Sequence, residues 1–195
     1  MVLHLIRHGK TSANERRLYC GRTDLCLSEN GVAEIERLKS QGVYPAAPDI
    51  FLSSGLARAD QTIRLIYGKA CRVVIPDLAE CDFGLFEMMG YEELKEREDY
   101  IAWITDDTGE VACPGGESKK QAEARIRDGY FAMLEAIRRS EAASAVAVCH
   151  GGVISCIMEL LQPGVKDFYS WQPLPGRGYT LRADPGKPLT LYTEI

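Results

Sequence analysis

The sequence predicts an α/β fold, a three-layer αβα sandwich around a mostly parallel central sheet. Two patterns carry that prediction. Short apolar runs bounded by turn residues recur along the chain, and stretches of helical period separate them. Strands that alternate with helices build parallel sheets covered on both faces. A length of 195 residues suits one domain, taken as residues 1–195, long enough to bury a substantial core.

The elements follow in order. A first strand is expected at residues 2–6, where the chain stays apolar up to Arg7-His8-Gly9. Ser28 reads as an N-cap, because Val32, Ile35 and Leu38 then repeat three residues apart. Residues 50–52 form a second strand, followed by an apolar stripe of Leu56, Ala59, Ile63 and Ile66, and residues 73–75 form a third. The clearest helix begins at Ser118, which has capping-box spacing to Gln121. Ala122, Ile126, Tyr130, Met133 and Ile137 follow on one face. After a strand at 145–149, Val153, Ile154, Ile157, Leu160 and Leu161 mark a helix that Pro163-Gly164 ends. Strands at 179–181 and 189–192 complete the sheet. The stretch 86–116 fits less well: it is acidic and carries Tyr91, Tyr100 and Trp103. It reads either as a solvated pair of helices or as a lid inserted over a site.

Composition excludes several classes. With 23 basic and 28 acidic residues the net charge is −5, which disfavours nucleic acid as a partner. Residues 92–110 hold eight acids against two bases, a local −6, so the remainder is near neutral and can host a cationic pocket. No run is long enough to span a membrane and Met1 leads straight into strand-like sequence, so the cytoplasm is the default. Seven cysteines, an odd number without a C-x-x-C pair, argue against a disulfide framework. Cys71, Cys81 and Cys156 are read as small buried apolar residues. Only three histidines exist and none lies near clustered cysteines, so no metal or other cofactor is expected.

The stretch "IRHGKT" is ambiguous, because "GKT" also ends a phosphate-binding P-loop. That motif needs a glycine five positions before Gly9, and His4 stands there, inside a strand. The P-loop reading fails. Ligands of open α/β sheets bind beyond the carboxyl ends of the strands. Four strand ends here carry polar groups: Arg7-His8-Gly9, Arg58 within "SSGLARADQT", Glu80 within "LAECDFG", and His150 within "CHGG". Each has a bland reading. A strand-end histidine is commonly structural, as His4 is taken to be; Arg7 could be a surface charge and Glu80 a capping carboxylate. Their shared position favours one crevice. Arginine forks grip phosphate oxygens, neutral histidine is a nucleophile near pH 7, and a carboxylic acid can protonate a leaving oxygen.

These four segments together resemble the signatures of the histidine phosphatase superfamily, the phosphoglycerate mutase-like proteins, in the family's order and over nearly the whole chain. The resemblance implies that His8 is the phosphorylated nucleophile, Glu80 the proton donor, and Arg7, Arg58 and His150 the phosphate pocket. It adds Asn14, Gly151, Cys20 and Gly21 as substrate-binding positions, and "PGGES" before the long helix as a further family-like feature. Lys10, Cys20, Phe86 and Met88 depart from residues common in the family and bear on substrate, not on chemistry. "LYCGRTD" and "FGLFEM" resemble the α-ribazole phosphatases. A small-molecule phosphate monoester such as α-ribazole 5′-phosphate is then the expected partner, hydrolysed without metal. Aromatics between 86 and 103 would either stack on its ring or only pack the lid onto the core, and a homodimer is left open. The alternatives are a phosphoglycerate mutase-type phosphotransferase, for which the chain is short, and a non-catalytic phosphate-binding module. A cysteine-dependent phosphatase would need arginine six residues after Cys149, and Ser155 stands there.

Overall fold

The structure, a computed structural model, describes residues 1–68, 71–182 and 191–195. Among these, six strands form one sheet: β1 (Val2–Arg7), β2 (Ile50–Ser53), β3 (Arg72–Val74), β4 (Ser144–Cys149), β5 (Gly178–Arg182) and β6 (Leu191–Glu194). Their order is β3-β2-β4-β1-β5-β6. The first four are mutually parallel, β5 runs antiparallel to β1, and β6 antiparallel to β5. The sheet is thus mostly parallel, as expected. Of the strand expected at 189–192, residues 189 and 190 lie outside the described residues.

The helices are α1 (Ser12–Arg16), α2 (Glu29–Ser40), α3 (Ala57–Tyr67), α4 (Tyr91–Leu94), α5 (Glu98–Ile104), α6 (Lys119–Arg139) and α7 (Gly151–Leu161). The two-residue alternation of a strand sends neighbouring side chains to opposite faces, and the core divides accordingly. Leu3, Leu5, Ala145 and Ala147 pack with Ile126, Met133 and Ile137 of α6 and with Val153 and Ile157 of α7. Ile6, Val146 and Val148 pack on the other face with Ala59 and Ile63 of α3. Three layers result.

The predicted caps are present. The Ser28 hydroxyl accepts from the Gly31 N–H, and Ser118 with Gln121 closes a full capping box at the start of α6. Leu160, expected on the apolar face of α7, is exposed, because it lines an open surface cleft between α6 and α7. The cysteine expectation is corrected. Cys71 is exposed and Cys81 and Cys156 are half-buried, whereas Cys113 and Cys149 are buried. All seven are free thiols.

The acidic stretch forms a pair of short helices, exposed on one side and packed on the other. Phe86, Leu94, Tyr100 and Cys113 bury one another, with Tyr19, Phe83, Met89 and Trp103 packed around them. The Tyr19 and Tyr100 hydroxyls lie 2.8 Å apart. Backbone bonds between Tyr19 and both Met88 and Met89 tie the stretch to the segment after α1. Phe86 and Tyr100 therefore face a packed cluster and cannot stack on a ligand, which corrects that expectation for both; Tyr91 is exposed. Among the described residues no helix is long and apolar enough to cross a membrane.

Candidate active site

The parallel half of the sheet aligns four strand ends side by side. Arg7 pairs with Cys149, and Ser53 with Val148, in register. The His8 N–H extends the ladder to the Cys149 carbonyl at 3.0 Å. His8 and His150, each one residue beyond its strand, consequently meet with ring centroids 5.1 Å apart. The chain leaving β2 supplies Ser54 and, on the first turn of α3, Arg58. The chain leaving β3 makes one helical turn at Pro76–Leu78 and reaches Glu80 two residues later.

His8 is buried and its Nδ1 lies 2.7 Å from the Gly9 carbonyl oxygen. A carbonyl only accepts, so Nδ1 carries the hydrogen and Nε2 keeps its lone pair. Burial, with the positive fields of Arg58 and Arg7, pulls its pKa from 6.5 down to about 3, against the opposing Gly9 bond. The ring is neutral at physiological pH. Thr62 steadies the turn: its hydroxyl accepts from the Gly9 N–H at 3.0 Å and donates to the Arg58 carbonyl at 2.8 Å.

Arg58 is fully buried. Its Nε donates to His150 Nδ1 at 3.3 Å, and its Nη1 and Nη2 donate to the Thr23 and Gly21 carbonyls at 2.9 and 2.7 Å. His150 Nδ1 must therefore accept, which leaves Nε2–H to donate to Ser54 Oγ at 2.8 Å. This ring too is neutral, its pKa pushed well down by burial and then by His8 and Arg58. Arg7 donates Nη1 to the Pro173 carbonyl at 2.8 Å, while its buried Nε has no protein acceptor. Such a group costs about 1–3 kcal/mol, which an anion would recover. Gly151 leaves room for this guanidinium: a Cβ there would stand 3.0 Å from Arg7 Cζ.

Glu80 sits at the first turn of α7. Its Oε2 accepts from the Gly152 N–H at 3.0 Å and its Oε1 from the Cys81 N–H at 3.1 Å. The capping role weighed for Glu80 is thus real, and it holds the carboxyl beside Arg7, whose pKa feels its charge. A Cβ on Gly152 would come within 2.6 Å of Glu80 Oε1. His4, set aside as structural, pairs its Nδ1 with Thr180 Oγ1 at 2.8 Å.

The remaining expected positions divide. Gly21 joins the site through the carbonyl that receives Arg58, and Cys20 feels the charges of Arg58, Glu87 and Glu80. Asn14 works locally, its Oδ1 accepting from the Thr11 N–H and hydroxyl in the α1 capping box. Glu87 is a residue that sequence reasoning missed. Its carboxylate accepts from the N–H groups of Gly21, Arg22 and Thr23, from the Thr23 hydroxyl and from the Phe83 N–H. It fastens the loop on which Arg58 rests. Its only signal was its place in "FGLFEM". Among the described residues no group of three or more His, Cys, Asp or Glu side chains could hold a metal ion. A surface cleft of about 500 Å³ between α6 and α7, walled by Lys120, Arg127, Cys156 and Glu159, shares no residue with this site.

Two neutral histidines, a fully buried and a half-buried arginine and a helix-capping carboxyl beyond the ends of four parallel strands define a phosphate-handling centre. The chain belongs to the histidine phosphatase superfamily, branch 1, whose family model matches residues 3–192. It is 34% identical over 166 residues to an adenosylcobalamin/alpha-ribazole phosphatase of Salmonella typhimurium, a match covering 83% of this chain and 79% of that one. It is 28% identical to a 2,3-bisphosphoglycerate-dependent phosphoglycerate mutase of Beijerinckia indica, over 82% of this chain and 80% of that one. The crystal structure of the alpha-ribazole phosphatase from Shigella flexneri superposes with a TM-score of 0.81 at 27% identity, covering 94% of this chain and 91% of that one.

Proposed function

We propose that the chain is a phosphomonoester hydrolase that works through a phosphohistidine on His8 Nε2. The observation that carries the reading is the buried His8 ring, whose Nδ1 lies against the Gly9 carbonyl so that Nε2 keeps its lone pair, in the positive fields of Arg58 and Arg7. Arg7 and Arg58 hold the phosphoryl oxygens of the substrate, with Gly151 leaving room for the Arg7 guanidinium beside them. They neutralise the charge that builds up during in-line transfer. The Nε2 lone pair forms the N–P bond as the P–O ester bond breaks, and Glu80 gives a proton to the leaving oxygen. Water then attacks phosphorus, its proton passes back to Glu80, and the N–P bond breaks to release inorganic phosphate. His150, held by Arg58 and Ser54, keeps its imidazole against His8 and completes the pocket. Cys149 takes no part, since burial raises its thiol pKa to about 12.

For the substrate we infer α-ribazole 5′-phosphate, a monophosphate with a neutral body. The names of the relatives support it, and so does the acidic stretch 92–110, which repels bisphosphates and triphosphates. Residues 86–116 serve as the lid that sets this preference, on one domain spanning 1–195. Seven free cysteines fit a reducing cytoplasm.

The test is to quench a reaction with labelled substrate and isolate the protein. An acid-labile phosphoenzyme is expected in the parent and not in His8→Ala; turnover retained by His8→Ala refutes the nucleophile, and no turnover by the parent on any ester favours the binding module. Comparing kcat/KM for α-ribazole phosphate, sugar phosphates and phosphoglycerates tests the substrate. A phosphoglycerate or sugar phosphate preferred by more than about tenfold, some 1.4 kcal/mol in transition-state stabilisation, would refute α-ribazole phosphate as substrate and leave the phosphatase reading standing.

A further inference from the structure

The long helix α6 grips the turn that carries Glu80. Arg125 donates Nη1 to the Asp77 and Ala79 carbonyls at 2.7 and 2.9 Å, and Nη2 to the Glu80 carbonyl at 3.4 Å. Its Nε and Nη2 also reach Glu117 Oε1 and Oε2 at 2.6 and 2.8 Å. All five guanidinium hydrogens thus have acceptors. Glu117, from the "PGGES" stretch, in turn accepts from the Asp82 N–H at 2.9 Å. The two side chains are only 15% and 18% exposed. One turn further along α6, Gly129 lets the backbone of the same segment lie against the helix, for a Cβ there would come within 2.8 Å of Asp77 Cβ. Residues 77–82 are therefore held on both sides of Glu80 by one half-buried ion pair and one notch.

We propose that Arg125 and Glu117 are positioning residues for the proton donor. They fix the main chain of the turn, and the Gly152 and Cys81 N–H groups fix the carboxyl at its tip. Neither side chain bonds to His8, Arg7, Arg58 or His150, so their effect falls on protonation of the leaving group and spares the attack on phosphorus. Lysine cannot replace Arg125, because a single ammonium cannot span three carbonyls and a carboxylate. The proposal rests on the reading of Glu80 as the general acid.

The experiment measures kcat/KM for Arg125→Lys, Arg125→Ala and Glu117→Gln on an alkyl phosphate and on nitrophenyl phosphate, with Glu80→Gln as reference. A displaced donor should cost roughly 10- to 100-fold on the alkyl ester and less than about threefold on the nitrophenyl ester, whose oxygen leaves without a proton. Added ethylguanidinium should restore part of the alkyl activity of Arg125→Ala. Equal losses on both esters in variants that still unfold cooperatively, or no loss on either, overturn the proposal. If Arg125→Ala does not fold, Arg125→Lys and Glu117→Gln decide by the same comparison. An equal loss in Glu80→Gln overturns the acid reading itself.

Discussion

Lowering the pH from 7 to 5 should destabilise this protein, and His8 supplies a calculable part of the loss. The folded ring has its pKa at about 3, pulled there by burial and by Arg58 and Arg7; in the unfolded chain it returns to 6.5. Between these values the unfolded state binds the extra proton, so stability rises with pH. The contribution is whole above about 6.5 and is lost as pH falls toward 3. From pH 7 to 5 the unfolded histidine gains about 2 kcal/mol of protonation free energy while the folded one gains almost none. His150 is displaced in the same direction, by burial first, and adds to the loss. The carboxylates held lowest, Asp106 and Glu135 at about 2, titrate below this window. Urea unfolding at both pH values, on the parent and on His8→Gln, checks the argument. The parent should lose at least about 2 kcal/mol, and the variant about 2 kcal/mol less than the parent. Parallel losses in the two proteins would refute the claim that His8 is neutral and buried.

Three further outcomes are expected. Turnover should survive dialysis against a chelator, because guanidinium groups neutralise the transferring phosphoryl charge; loss restored by magnesium would contradict this. Gly152→Ala should keep or raise the unfolding free energy, by up to about 1 kcal/mol. It should lower alkyl phosphate hydrolysis at least about tenfold by pushing Glu80 aside, as steady-state kinetics would show. Glu87→Gln should raise KM several-fold with a smaller change in kcat. Weakened charge-assisted bonds, roughly half as strong when neutral, free the Gly21–Thr23 carbonyls that orient Arg58.

Much of the site was legible because each principal group lies at a strand's carboxyl end or on the connection that leaves it, after a hydrophobic run. Arg7, His8, Arg58, Glu80 and His150 announce themselves in that way, and parallel pairing brings them together. What was illegible acts at long range through the backbone. Glu87 and Arg125 bind peptide groups, and a peptide group has no sequence identity to search for. Ser54 and Thr62 lay inside a quoted motif, yet nothing in their spacing shows that one supports His150 and the other Gly9. The cysteines misled because a small apolar side chain fits core and surface alike; Cys149 is buried by its place on β4 and Cys71 exposed by its place before β3. Aromatics at 86 and 100 signalled a ligand surface and instead supplied the packing that fixes two short helices.

The pairing of Arg7 with Cys149 joins opposite ends of the chain, and β2 can enter the sheet only alongside β4. No fragment shorter than about three quarters of the molecule can own a complete pocket. Closing such loops is paid in chain entropy before any contact compensates, so folding of this topology is slow relative to helical bundles. Catalytic competence is therefore the last property a refolding chain acquires. The return of turnover after dilution from denaturant clocks assembly of the four parallel strands, not the formation of any one element.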